Sequence, residues 1–351
     1  MSPISANLLR ERRYEIARAA AARMLDLEPV VAERYGPEGI RLFIEESAAL
    51  VSQLSQAIVV ELPSLFEDYV AWARTTSVGA RIAESHFITG LLTIASVLTD
   101  FVPTQQAVTA NDYIERVVRG FHELSAPPST YIDEKQRHGE LARKLIEATI
   151  HYQGEEAVAL VESALGAGAA VPDIFVEVFQ PVLYEIGLLW QTGKLPVARE
   201  HHAAGVLQLL IDQLETRLPD QPARYGSAVV ACAPGELHDL GPRMVAHMLR
   251  AAGWQVIFLG ANVPAVAVIE SLEQTQARLL CLSISTAWHL DEAADVISAV
   301  RRTFARPPVK IVAGGYVLNR VPDIWSRIGA DAYAADARAA VHVCASVVDR
   351  K

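Results

Sequence analysis

The chain has 351 residues, half of them hydrophobic, and a formal net charge of −10. That length accommodates two or three domains of roughly 100 to 200 residues each, and the acidic balance argues against a general nucleic-acid surface. No apolar run reaches the roughly 18 residues of a membrane span, and an N-terminus rich in Arg and Glu is unlike a secretory signal, so the expected setting is the cytoplasm, with neither membrane nor direct nucleic-acid contacts.

Residues 1–128 read as an all-helical domain. Amphipathic stretches run over 8–27, 39–62, 64–73, 80–98 and 111–124, with Pro29 and Pro63 as punctuation. No strand alternation and no Gly-rich phosphate loop occur here, which suits a sensor or interaction domain. His86 falls on an apolar helix, where a satisfied core histidine is the plain reading. Phe66, Tyr69, Trp72, Phe87, Phe101, Tyr113 and Phe121 could line a pocket for a flat ligand, although core packing accounts for them equally. Arg74, Arg81, Arg116 and Arg119 could pair with ligand carboxylates or remain solvated.

Ser125-Ala-Pro-Pro-Ser-Thr130 reads as a linker, and residues 129–219 as a four-helix bundle with short turns. Trp190 stands at one helix end. Ten residues later Glu200-His201-His202 opens the final helix, where an acid complements the helix dipole. After a second linker, Leu218-Pro-Asp-Gln-Pro222, residues 220–351 alternate strands with helices. Strands are expected at 226–233, 255–259, 279–283, 310–313 and 332–334. Five such units imply a doubly wound parallel sheet of flavodoxin-like order, with a ligand site at the carboxyl ends of the strands. The fold class is therefore helical domain, four-helix-bundle cap and Rossmann-like sheet.

The unusual residues fall at those strand ends. Gly235-Glu-Leu-His-Asp-Leu-Gly241 follows the first strand, Gly260-Ala-Asn-Val-Pro264 the second, Ser283-Ile-Ser-Thr286 the third and Gly314-Gly315 the fourth. A dinucleotide site would place Gly-x-Gly-x-x-Gly after the first strand, and His238 stands there instead. Alone, a Glu-x-His-x-x-Gly loop is as readily a polar loop with a capping acid; four loops converging on one edge are less easily dismissed. Cys232, Cys281 and Cys344 lie far apart in apolar segments and read as small buried hydrophobes.

This set resembles the cobalamin-binding domain that methionine synthase, corrinoid methyl carriers and B12-dependent mutases share. The resemblance rests on Glu236-x-His238-x-x-Gly241, the Leu-Gly-x-x-Val-Pro run at 259–264, Ser283 and Gly314-Gly315. It implies a cobalt-bearing corrinoid with His238 as lower axial ligand, Glu236 (or a Glu236–His289 relay) behind it, and Asp239, Leu240, Gly241, Val263, Ser283, Ser285, Thr286, His289, Gly314 and Gly315 around the cofactor. Residues 134–218 resemble the helical cap of such proteins. The spacing of Trp190, Glu200 and His201 is similar to B12-dependent light-sensing regulators, in which these side chains cover the upper face. Those regulators carry a histidine after the tryptophan; Gln191 stands there, leaving His202 as a substitute.

A helical block before such a core resembles the photocobilins, which use B12 and biliverdin. That likeness implies a photoreceptor, not an enzyme, in which light cleaves the Co–C bond of adenosylcobalamin. Packing or self-association would then change, with noncovalent biliverdin in residues 1–128 as second chromophore. A homo-oligomer, as a dimer or a light-dependent assembly, and a separate output partner would be expected. The alternative is a corrinoid methyl carrier serving separate methyltransferases. An isomerase subunit would need a substrate barrel that the pattern does not supply.

Overall fold

The computed structural model describes residues 8–79, 82–124, 128–219, 221–321 and 323–349. The chain forms two compact units, 1–127 and 128–351.

The first unit contains helices α1 (Arg13–Leu27), α2 (Val30–Val59), α3 (Pro63–Gly79), α4 (Glu84–Val97) and α5 (Thr104–Arg119). Glu28 and Pro29 part α1 from α2, with Pro29 at the start of α2, where a proline is tolerated; a further break inside α2 falls at Gly36, whose φ of 64° and ψ of −174° precede Pro37. The last long helix starts seven residues earlier than its apolar spacing suggests and ends at Gly120. Leu54, Phe66, Leu91, Ile94 and Phe121 of this first unit are fully or nearly fully buried. Three of the polar side chains singled out above, Arg74, Arg116 and His86, have partners here. Arg74 donates to the carbonyls of Phe121 and Leu124 at 2.6 and 3.2 Å, and Arg116 is paired with Glu67. His86 lies between the Tyr35 hydroxyl at 2.9 Å and the Glu28 carboxylate at 3.1 Å. Arg81 lies outside the described residues, as do 125–127 of the first linker and 220 of the second.

The second unit has two layers. Helices α6 (Gly139–Ile150), α7 (Gly154–Gly166), α8 (Gln180–Gln191) and α9 (Val197–Glu215) form the bundle, and a π-helical turn (Ile174–Phe179) leads into α8. Phe175, Val178, Phe179, Leu207 and Ile211 form its core, which extends onto Met244, Met248 and Ala337 of the sheet layer. Burying one apolar surface shared by both layers welds them together.

Strands β1 (Ser227–Cys232), β2 (Gln255–Gly260), β3 (Leu279–Ser283), β4 (Lys310–Gly314) and β5 (Ala332–Ala334) lie parallel in the order β2-β1-β3-β4-β5. Helices α10 (Leu240–Ala251), α11 (Ala265–Thr275), α12 (Leu290–Thr303), α13 (Tyr316–Arg320), α14 (Ile324–Arg327) and α15 (Ala337–Asp349) connect or follow them. The central β1 and β3 are almost wholly buried, which is why they read as unbroken apolar runs. In this order β1 and β3 flank the switch point, so their carboxyl ends diverge to form a crevice. The register pairs Val230 with Phe258 but Ala231 with Gly260, so β2 bulges as it reaches that crevice. Among the described residues, no helix is long and apolar enough to cross a membrane.

Candidate cofactor site

The loop after β1 is built to hold one carboxylate. Gly235 adopts φ +82°, and its N–H donates to Asn262 Oδ1 at 2.7 Å, while the Asn262 N–H returns to the Glu236 carbonyl at 2.8 Å. This bracing turns the Glu236 side chain inward, where it is fully buried. Its Oε1 accepts from the His238 N–H at 3.0 Å and from His238 Nδ1 at 2.5 Å. Its Oε2 accepts from the N–H groups of Ser285 and Thr286 at 2.8 and 3.0 Å, and from Thr286 Oγ1 at 3.4 Å.

Burial alone would raise the Glu236 pKa, but the hydrogen bond and charge of His238, with the backbone donors, outweigh it and lower the value to about 2. The same hydrogen bond raises His238, against desolvation and with further help from the charges of Glu236 and Glu200. Beneath the loop, burial and the charges of Glu236 and Asp239 push the Cys232 thiol up to about 12, so it stays a protonated, inert side chain.

The relay differs from the expected Glu236–His289 pair. Thr286 and two backbone amides occupy Oε2, and the His289 ring instead packs against Gly235, where a Cβ would come within 2.7 Å of it. The hydroxyl partner lies three residues upstream of the position inspected in the sequence.

A cavity of about 830 Å³ opens between bundle and sheet, within the size range of small-molecule sites. Trp190, Glu200, His201, His238, Asp239, Leu240, Gly241, Ser283, Ser285, Thr286, Gly314 and Gly315 all line it. Glu236 stands behind His238 without lining the cavity, and Val263 and His289 are not on its wall. Val263 is only 6 % exposed and lies in the loop that follows β2. His202 is not on the cavity wall and instead meets the Tyr152 ring at a tilt of 58°, with ring centroids 4.8 Å apart. Helical geometry explains that divergence, since adjacent residues on α9 point about 100° apart.

Gly315 is forced by the fold itself. At φ +116° a Cβ would lie 2.1 Å from the Ile284 carbonyl oxygen, where the β3 and β4 loops interlock through Ile284 N–H to Gly314 O at 2.8 Å. The cap and the sheet are tied by Arg243, which reaches Asp239 at 3.0 Å and Asp212 of α9 at 3.2 Å.

These residues fit a metal macrocycle. With Nδ1 held by Glu236, the orientation of His238 is set and Nε2 is the ring nitrogen left available to a metal; the side chain is 68 % exposed at the cavity while its partner is fully buried. Among the described residues, no group of three or more His, Cys, Asp or Glu is arranged to hold a bare ion. A single histidine matches a metal whose other ligands arrive with an organic ring.

A doubly wound sheet with a carboxylate-braced histidine on its first loop, capped by a helical bundle over the same crevice, defines a corrinoid-binding module. The chain belongs to the B12-binding-domain family: residues 226–342 match one B12 binding domain and residues 141–215 a second. Dimethylamine corrinoid proteins 1 and 3 of Methanosarcina acetivorans are 29 % and 30 % identical to it over 205 residues. Those matches span 58 % and 57 % of this chain and 94 % and 93 % of theirs. The structure of the Methanosarcina barkeri monomethylamine corrinoid protein resembles it with a TM-score of 0.54 at 26 % identity, over 60 % of this chain and 99 % of that one.

These relatives correct the photoreceptor reading. They are corrinoid proteins of methylamine systems, and they support a corrinoid cofactor without supporting light sensing, the adenosyl form or biliverdin. The Glu-x-His-x-x-Gly loop is expected of carriers and sensors alike, so it could not separate them, and the likeness of the helical block to photocobilins lay in architecture without a motif. Arg74 and Arg116, offered as partners for a second chromophore, already have partners within the protein. The self-association expected of a light-driven packing switch is set aside with that reading.

Proposed function

We propose that the protein is a corrinoid methyl carrier, the non-enzymatic component of a methyl-transfer system that works with separate methyltransferases. The observation that carries this reading is the likeness to relatives named dimethylamine corrinoid proteins, and the Glu236–His238 pair at the cavity supports its corrinoid part. A bound corrinoid would supply a cobalt centre able to accept and donate a methyl group. The chain's own part is to hold and tune that centre. His238 Nε2 would be the lower ligand, and Glu236 would orient the ring and hold the proton on Nδ1, so that ligand strength follows the charge on the carboxylate. Asp239, Leu240, Gly241, Ser283, Ser285, Thr286, Gly314 and Gly315 would surround the cofactor from the sheet side. Trp190, Glu200 and His201 would border its opposite face.

Trp190 and His201 line the cavity from the bundle side, where a partner enzyme would approach the cofactor. The substrate amine is not specified by these residues.

Reconstitution with hydroxocobalamin tests the reading. Wild-type protein should retain cobalamin through gel filtration with a histidine-coordinated spectrum. After reduction and addition of radiolabelled methyl iodide, the label should co-elute with the protein. Bound cobalamin with no retained label would overturn the carrier role.

A further inference from the structure

The seam between α9 of the bundle and α10 of the sheet layer carries an apolar row and, beside it, a charged one. Leu207, Ile211 and Leu214 share a core with Met244 and Met248. Next to them, Asp212 and Glu215 on α9 confront Arg243, His247 and Arg250 on α10. Spacings of three and four residues keep each charged row on one side of its helix.

His247 is the inner member of this row. Its side chain is 6 % exposed, whereas those of Asp212 and Glu215 are each 40 % exposed. Its Nδ1 lies 2.9 Å from Glu215 Oε1, and its Nε2 lies 3.4 Å from Asp212 Oδ1. A carboxylate oxygen therefore faces each ring nitrogen. Carboxylates only accept, and a neutral imidazole has one N–H and one bare lone pair, so in the neutral ring one of the two acids is set against a lone pair. Arg250 Nη1 can donate to a bare Nδ1 at 3.2 Å, but the nearer Glu215 oxygen then faces that same lone pair. The imidazolium alone offers both acids a donor.

The remaining neighbours do not change this balance. Arg243 reaches Asp212 at 3.2 Å and Arg250 reaches Glu215 at 2.7 Å. The strands beneath α10 contribute two thiols, Cys232, raised by burial, and Cys281, raised by its hydrogen bond to Cys344 and by burial, and both stay protonated. Among the described residues, no charged side chain of α15 pairs with His247.

We infer that His247 is a proton-operated latch between the bundle and the sheet layer: charged, it binds α9 to α10, and on losing its proton it lets α9 loosen. Gly205 and Gln208 of α9 and Met244 and Val245 of α10 border the cavity, so the latch governs how firmly that part of its wall is held. The hold is fullest at low pH and is lost as pH rises, the sign expected of a histidine that gains acidic partners on folding.

The latch needs no corrinoid, and its test uses the cobalamin-free full chain. Amide hydrogen exchange is followed by mass spectrometry at about pH 6 and about pH 8, on either side of the range in which an imidazole changes charge, with rates corrected for chemical exchange. In wild-type protein, protection of the α9 amides should fall about tenfold at the higher pH. Helix α11, none of whose side chains pairs with the latch, should stay within about twofold. His247→Gln, which cannot take up the charge, should abolish the pH effect and hold α9 near the wild-type level of the higher pH. Glu215→Gln keeps the histidine and removes one acceptor, so its pH effect should shrink to about threefold; it decides the matter where the His247 variant fails to fold. Wild-type α9 protection that is equal at both pH values, or that falls in step with α11, overturns the inference. A pH effect of full size in either variant overturns it as well.

Discussion

Two carboxylate–histidine pairs face the same cavity, and they are built differently. Glu236 is fully buried, satisfied by three backbone N–H groups and the Thr286 hydroxyl, and fixes His238 through Nδ1. Glu200 and His201 are neighbours on one helix, joined by a hydrogen bond between side chains that are 26 % and 76 % exposed. The first pair has its geometry imposed by the loops around it. The second can be rearranged by whatever enters the cavity. A buried carboxylate with several donors makes the adjacent imidazole a rigid ligand, whereas a solvated pair contributes little fixed energy.

The largest break in this contrast is His238→Ala. Cobalamin bound to that variant should show no histidine coordination in its absorbance spectrum; a spectrum unchanged from wild type would remove His238 from the ligand role. Next is Glu236→Gln, whose amide N–H₂ would confront the Ser285 and Thr286 donors. Cobalamin affinity should fall about 10- to 100-fold, the range found when the partner of a ligating histidine is lost.

The same variant should report on pH in the cobalamin-free protein. Glu236 is lowered from its ordinary 4.5 to about 2, so its ionised form contributes stability that is complete above about pH 4.5 and disappears as pH falls through 2. At pH 7 that contribution is about 3 kcal/mol. Urea unfolding of wild type and Glu236→Gln should therefore differ most above pH 5 and converge toward pH 2. A gap independent of pH would mean that shape, not charge, is what the loop requires. His238, raised by the same partner, has the opposite sign: its stabilisation is full below its ordinary value of 6.5 and is lost as pH rises through the raised one.

The smallest effect is expected at the exposed pair. Glu200→Gln should change unfolding free energy by less than about 1 kcal/mol and cobalamin affinity by less than about threefold. A loss as large as that of Glu236→Gln would show the two pairs to be equivalent and end the comparison.

The sheet and its crevice were legible because β1 and β3 are continuous apolar runs and because the special residues sit at strand ends, where local pattern and topology agree. Glu236 and His238 were legible for a similar reason, being two residues apart on one loop. The Thr286 contact was missed because the hydroxyl sits 50 positions from Glu236, and the aim of a loop depends on its partners. Tyr131 lies just past the first linker, with no local signal to single it out. Its meeting with Tyr316, 185 positions away, follows only from how bundle and sheet close on each other. The step from corrinoid domain to light sensor failed for a chemical reason: the lower ligand shared by both classes says nothing of what happens on the opposite face.

Arg243 gives this arrangement a mechanical side. One guanidinium spans Asp212 on α9 and Asp239, the residue that follows His238. It acts as a tie-rod between the cap and the loop after β1, so a load that tilts α9 is delivered one residue from the imidazole.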